Sequence, residues 1–543
     1  MSRRSAGNRL GSLLVSAGLA VWGAAAVQPQ SGPTLVPAPP PPMGWSSWNS
    51  FSNTVDSQVI VDQAKAMVST GMAKAGYQYV NIDEGWWLGE RDADGHFVID
   101  AKAWPALAAG DHAGDMANIV RFIHGLGLKA GIYTDAGKDG CSMYPDLGPP
   151  FQHTGSEGHY EQDFLQFARW GFDYVKVDWC GGDKEKLDPA VQYAEIARAI
   201  AKAEAATGRR LYFSLCEWGN NSPWTWAPNV GGAPAAIWRT SGDIVAPIVP
   251  HREHSGRLAS FPGVLSNFDQ GIHPEAQHTG FYNDPDMMVV GMPGLTDAQN
   301  RVHMSLWAIS AAPLLVGADL TTLSDATRAT LTHIEVLAVD QDPLGLQGVK
   351  VASSGSGLEV WSKALAPPGE RAVLLLNRSG DAASITARWA DLGLDESSSA
   401  TVRDLWAGKD LGSFKTSYSV TVGSNDAVLV VVRGREGKLT TYSASAGGGM
   451  REGEELSFAH VASRVPMARV RIAYTNPGKT PRYAALRVNG SIATRVAFPP
   501  TGSGNAAGAI WIEALLDREG ANNTLVFSAM GDSGPGIESI SVE

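Results

Sequence analysis

The sequence predicts an α/β chain: a (β/α)8 TIM barrel, then an antiparallel β domain, then a C-terminal β-sandwich. Three observations predict it. From Met43 to about Gly345, eight short apolar runs alternate with segments of helical periodicity. From 346 to 434 that periodicity fades, and short strand-like runs are separated by Gly, Ser, Asn and Asp. From 438 to 543 the two-residue alternation strengthens, and Asn489-Gly490 supplies a hairpin turn signal. A chain of 543 residues with 44% hydrophobic content has material for several cores.

In chain order, residues 1–26 read as a signal peptide. Arg3, Arg4 and Arg9 precede an apolar run over 10–21, and Ala24-Ala25-Ala26 offers a small-residue cleavage site. Secretion is therefore expected. Residues 27–42 are a proline-rich, stiff extended lead-in. The barrel is assigned to 43–345, with strands expected at 43–45, 79–83, 129–133, 174–178, 211–216, 235–239, 287–290 and 313–316. Helices are expected between them, for example over 57–75, 116–126 and 161–170. The antiparallel domain takes 346–434 and the sandwich 438–543.

The net charge of −12, with no basic run, speaks against nucleic acid and anionic membranes as partners. No run beyond the leader is long and apolar enough to span a bilayer. Seventeen tryptophans suit either large cores or stacking on the faces of sugar rings. Of three cysteines, Cys141 and Cys180 each follow a candidate strand end and could pair. Equally, all three could be small buried hydrophobes. Cys216 lies in an apolar run and is expected to be buried and free.

In a (β/α)8 barrel the chemistry sits at the C-terminal ends of the strands. Here acids collect at or just past those ends: Asp83 and Glu84, Asp135 a short loop after Tyr133, Asp178, Glu217 and Asp243; Asp284 and Asp286 precede the expected seventh strand. A single Asp after a strand often caps the next helix. Acids after five different strands point instead to a shared site, with Lys176 and Arg239 as the cations that make it tolerable. Two carboxylates facing one anomeric carbon are what a glycosidase requires. His251 and His254 have an H-x-x-H spacing, but the zincin pattern needs the second His one residue later. No metal or other cofactor is expected. The chain has no nucleotide-binding glycine pattern and no serine-hydrolase elbow.

Seven motifs in order resemble glycoside hydrolase family 27, the family of α-galactosidases and α-N-acetylgalactosaminidases. They are Pro42-Met43-Gly44-Trp45-Ser46-Ser47-Trp48-Asn49, Asn81-Ile82-Asp83-Glu84-Gly85-Trp86, Lys129-Ala130-Gly131-Ile132-Tyr133, Tyr174-Val175-Lys176-Val177-Asp178, Cys216-Glu217-Trp218, Trp238-Arg239 and Asn283-Asp284-Pro285-Asp286-Met287. The resemblance implies Asp178 as nucleophile and Asp243 as acid/base of a retaining mechanism, with carboxyls roughly 5–5.5 Å apart. It implies sugar contacts from Trp48, Asp83, Glu84, Tyr133, Cys141, Lys176, Glu217 and Arg239, and a disulfide between Cys141 and Cys180. The family usually has Asp-Asp where this chain has Asp83-Glu84. The longer Glu84 crowds the C6 hydroxymethyl position, and members with this Glu resemble β-L-arabinopyranosidases. A bulky acid at Glu217 goes with a free 2-hydroxyl, which disfavours N-acetylgalactosamine. The C-terminal sandwich resembles carbohydrate-binding module family 35 through Val488-Asn489-Gly490, Phe498-Pro499 and Gly536-Ile537-Glu538-Ser539-Ile540. The implied function is a secreted exo-glycosidase releasing terminal β-L-arabinopyranose or α-D-galactose from plant-type oligo- or polysaccharides. The alternatives are a plain α-galactosidase, a transglycosylase, or a non-catalytic sugar-binding protein on the same scaffold.

Overall fold

The computed structural model describes residues 33–141, 154–244, 258–355, 357–445, 449–502, 506–531 and 533–543. The expected signal peptide and the His251/His254 pair lie outside them. Eight parallel strands form the barrel sheet: β1 Met43–Ser46, β2 Tyr79–Asn81, β3 Lys129–Asp135, β4 Tyr174–Asp178, β5 Tyr212–Cys216, β6 Ile237–Arg239, β7 Tyr282–Asp284 and β8 Leu314–Val316. Neighbours in sequence are neighbours in space, and β8 returns to pair with β1. The crossovers run through helices such as Ser57–Ser69, Ala117–Gly125, Tyr160–Trp170 and Pro189–Thr207. Their starts are fixed by local chemistry. Asp56 and Asp188 accept from the backbone N–H three residues on, and Thr296 with Gln299 forms a capping box on Asp297–Ser310.

The seventh strand is not where the apolar run 287–290 suggested. It is Tyr282–Asp284, in register with β6 through Trp238↔Asn283 and Arg239↔Asp284. Pro285 breaks the ladder, and Asp286 turns to φ 118°. The apolar run follows as buried chain, and a single parallel bridge between Met288 and Val316 closes the barrel against β8. A short buried run looks like a strand whether or not it pairs, because burial alone demands its hydrophobicity. The correction matters for the site, since it moves Asp284 onto a strand and Asp286 to its C-terminal end.

The second domain holds a six-stranded antiparallel sheet over Val349–Ser354 to Asp426–Arg433, with Ala383–Arg388 and Ser417–Val422 paired beside it. The third is a sandwich of five- and four-stranded sheets. Its hairpin turns at Asn489 (φ 53°) and Gly490 (φ 80°), with Ser491 N–H donating to Val488 at 2.8 Å. The lead-in does more than connect. Thr34–Leu35 pairs in parallel with Gly508–Ala509 and adds an edge strand to the sandwich. Pro39 then accepts from the Tyr282 hydroxyl under the barrel.

The joint between the β domains is ionic. Glu436 meets Arg371, whose side chain is buried, and Arg469 at 2.9 Å; Arg469 also meets Glu543 at 2.8 Å. Burial alone would raise the Glu436 carboxyl, but the two guanidiniums outweigh it and hold the pKa at about 2. Replacing Glu436 by Gln takes away the carboxylate that meets Arg371 and leaves Arg469 with Glu543 alone, and should cost on the order of 3 kcal/mol at neutral pH. Because the folded-state pKa is depressed, this contribution is present above the ordinary carboxylate range and lost as pH falls toward 2. Chemical denaturation of the two proteins should show a gap that narrows steadily from about pH 5 downward.

Candidate active site

Strand alternation builds the site. Tyr133 and Asp135 share one face of β3, and Lys176 and Asp178 share the same face of β4. Register aligns them in rows: Tyr133 beside Lys176 beside Ser214, and above these Asp135 beside Asp178 beside Cys216. Gly131 lets β3 approach its neighbour. A Cβ there would lie 2.0 Å from Asn81 Oδ1.

Two cations organise the acids. Lys176 Nζ lies 3.1 Å from Asp83 Oδ2 and 3.5 Å from Asp178 Oδ2, above the Tyr133 ring. The Ser46 hydroxyl donates to Asp83 Oδ2 at 3.2 Å, and the Glu84 N–H to Asp83 Oδ1 at 2.9 Å. Arg239, itself buried, meets Asp286 at 2.9 Å through Nη1 and Asp243 at 3.1 Å through Nη2. Cys216 bridges the two groups. Its thiol is 3.9 Å from Arg239 Nη1, and burial together with Asp178 pushes its pKa well up, so it is a neutral thiol. Asp83, Lys176, Arg239 and Asp284 also line one small cavity of about 20 Å³ on the barrel axis, room for about one water.

Depth separates the acids. The Asp178 side chain is 8% exposed, whereas that of Asp243 is 38% exposed at the rim. Burial pushes the Asp178 carboxyl up, Lys176 pulls it back and Asp83 pushes again, while its Oδ1 is buried without a hydrogen-bond partner. Glu217 is fully buried, held by the Asn221 N–H at 2.9 Å and the Asn221 amide at 2.6 Å; burial lifts its pKa to about 7. Asp286 also rises to about 7, by burial against Arg239 with Asp243 adding repulsion. Cys141 and Cys180 are bridged, and Cys141 Sγ lies 3.8 Å from Asp178 Oδ2 and 3.2 Å from the Tyr133 hydroxyl. Asp135, Cys141 and Cys180 form a close triplet, but the sulfurs are committed to each other and do not make a metal site.

The structure thus draws Asp83, Glu84, Tyr133, Cys141, Lys176 and Asp178 into one cluster, with Arg239 and Asp243 in a second that meets it at Cys216. Trp48, just past β1, is buried and packs in an apolar cluster with Met287. Glu217 follows β5, facing Asn221. Asp135 is not in a loop beyond a strand ending at Tyr133: β3 runs two residues further and buries it fully. The two-residue spacing from Tyr133 was the signal. Most tryptophans turn out to be core: Trp45, Trp86, Trp179, Trp238 and Trp307 are fully enclosed.

Residues 40–342 match the family described as Alpha galactosidase A, and 355–432 match its C-terminal β-sandwich domain. The chain belongs to glycoside hydrolase family 27. Residues 456–542 match a module described as Alpha-galactosidase, CBM13 domain, a differently numbered carbohydrate-binding module family from the one the sequence resembled. Within family 27, the chain is 41% identical over 402 residues to Alpha-galactosidase A of Cellvibrio japonicus, covering 72% of this chain and 91% of that one. It is 38% identical to the α-galactosidase of Cyamopsis tetragonoloba, covering 73% and 86%. The crystal structure of α-galactosidase I from Mortierella vinacea superposes with a TM-score of 0.63 at 31% identity, over 74% of this chain and 98% of that one. A family 27 β-L-arabinopyranosidase from Geobacillus stearothermophilus shares the fold, with a TM-score of 0.61 at 23% identity over 74% and 98%.

Lys176 is the cation of the deeper cluster. Lys176→Met leaves Asp83 and Asp178 facing each other, with an expected stability loss of about 3–5 kcal/mol. With the cation gone the carboxyl pKa rises further, so the loss grows as pH rises. Thermal melts at about pH 5 and pH 8 should show the larger deficit at the higher pH.

Proposed function

We propose that this family 27 glycosidase is a retaining exo-enzyme that releases terminal α-D-galactose, with β-L-arabinopyranose as a second substrate. The observation that carries the reading is the pairing of a deep carboxylate, Asp178, held by Lys176, with a rim carboxyl, Asp243, held by Arg239. Relatives at 38–41% identity carry the name α-galactosidase. In this reading Asp178 attacks the anomeric carbon and Asp243 protonates the leaving oxygen. Asp243 then deprotonates the water that releases the sugar. Its exposed position suits both proton transfers. Asp83, Glu84, Tyr133, Lys176, Glu217 and Arg239 are the hydroxyl partners, Trp48 the apolar wall, and Cys141 the edge beside the nucleophile. The leader at 1–26 and the Cys141–Cys180 bridge support secretion.

Glu84 favours the second substrate. It is one methylene longer than Asp and fully enclosed. Gly140 leaves room for it: a Cβ there would lie 2.8 Å from Glu84 Oε1. The extra length is therefore taken up partly along the pocket wall, and C6 is crowded without being barred. A methylene is worth about 1–3 kcal/mol of discrimination, which shifts a ratio and does not abolish either activity.

Asp178→Asn should remove turnover of p-nitrophenyl α-D-galactoside almost completely. Asp243→Asn should lower kcat by roughly 10²–10⁴ on a natural galactoside and by less on the p-nitrophenyl substrate, whose leaving group needs little protonation. Proton NMR of the first product formed should show the α-anomer; a β-anomer would overturn retention. Glu84→Asp should shift the ratio of α-D-galactoside to β-L-arabinopyranoside kcat/KM toward galactose by about tenfold. An unchanged ratio removes Glu84 as the determinant.

A further inference from the structure

We propose that Asp135 is a neutral carboxylic acid, protonated on Oδ2, that positions Tyr133 and Glu84 at the sugar pocket. The proposal deepens the glycosidase reading and rests on it for the identity of the pocket.

Asp135 is fully buried, and its Oδ1 accepts one hydrogen bond, from the Tyr133 hydroxyl at 2.7 Å. Oδ2 is buried and accepts none. Cys141 Sγ lies 3.5 Å from Oδ1, but a disulfide sulfur has no proton to give. An ionised carboxylate with a single neutral donor would remain largely uncompensated for its lost hydration. Its neighbours make this worse. Asp178 is its register partner on β4. Glu84 reaches in from the end of β2: the Cβ position at Gly140 lies 2.8 Å from Glu84 Oε1 and 3.4 Å from Asp135 Oδ2, so both oxygens crowd one small volume. Thr154 Oγ1 borders the same volume at 2.8 Å. Among the described residues the facing cation is Lys176, and its close contacts go to Asp83 and Asp178.

Burial, then Glu84, then Asp178 push the Asp135 carboxyl well above the usual carboxylate range, against the smaller pull of Tyr133 and Lys176. A proton on Oδ2 turns the orphaned acceptor into a donor, and in this proposal it is given to the Glu84 carboxylate that borders the same volume at Gly140. The carbonyl oxygen, Oδ1, keeps the Tyr133 hydroxyl aimed. Asp135 is thus a positioning residue: it acts through Tyr133 and Glu84 and lowers the negative charge of the pocket by one.

Asp135→Asn copies the neutral acid in size and keeps an acceptor for Tyr133, whereas Asp135→Ala does not. The infrared difference between sugar-free wild type and D135N should contain a carboxylic-acid C=O stretch that shifts in D2O. In Tyr133→Phe the same band should move to higher frequency, because Oδ1 loses its hydrogen bond. This variant reads the acid even if D135N fails to fold. D135N should keep kcat/KM within about tenfold of wild type, while D135A should lose about a hundredfold or more. The folded chain holds a proton that the unfolded chain releases, so wild-type stability falls as pH rises, and D135N should fall less steeply. Absence of the acid band from wild type, or a D135N as damaged as D135A, overturns the proposal. The infrared result needs no turnover, so it stands apart from any failure of the glycosidase reading.

Discussion

Among the described residues, too few cations for the acids is the constraint on which the barrel mouth depends. Asp83, Glu84, Asp135, Asp178, Glu217, Asp284 and Asp286 are all buried there, with Lys176 and Arg239 between them. Seven ionised carboxylates around two cations would be prohibitively unstable in a low-dielectric interior. The structure resolves this unevenly. Lys176 is shared by Asp83 and Asp178, and Arg239 by Asp243 and Asp286. Glu217 and Asp286 are left with pKa values of about 7, where one proton more or less is inexpensive. A polyhydroxylated ligand suits such a pocket, because each hydroxyl can donate to an ionised acid or accept from a neutral one.

Burial sorts the acids further than charge does. Two Asp side chains of equal intrinsic acidity end up at different depths, one against a lysine on its own strand face and one on an arginine at the rim. In the proposed mechanism it is environment, not residue type, that assigns them different duties. The same logic recurs at the joint between the β domains, where Glu436 is drawn down to about 2 by two guanidiniums. There, however, Arg371 and Arg469 balance Glu436 and Glu543 charge for charge, and the joint is structural.

Much of this was legible before folding. Seven of the eight barrel strands fall where short apolar runs predict them, because a parallel strand buried on both faces must be apolar. The seven motifs carried the family. What failed did so for physical reasons. The apolar run 287–290 is buried without forming the seventh strand, since Pro285 ends the ladder and hydrophobicity reports burial, not pairing. Asp135 was placed beyond its strand because a polar residue reads as a strand end. The edge strand Thr34–Leu35 was hidden among prolines, and its partner lies more than 470 residues away.

The sequence by itself determined which residues could do chemistry and, for most of them, near which strand end they would stand, because alternation along a strand is a local property. Only the tertiary structure decided which acids share a cation, which are sealed from water and which reach the rim. Those are matters of distance and dielectric between residues remote in the chain, and one-dimensional spacing carries no information about either.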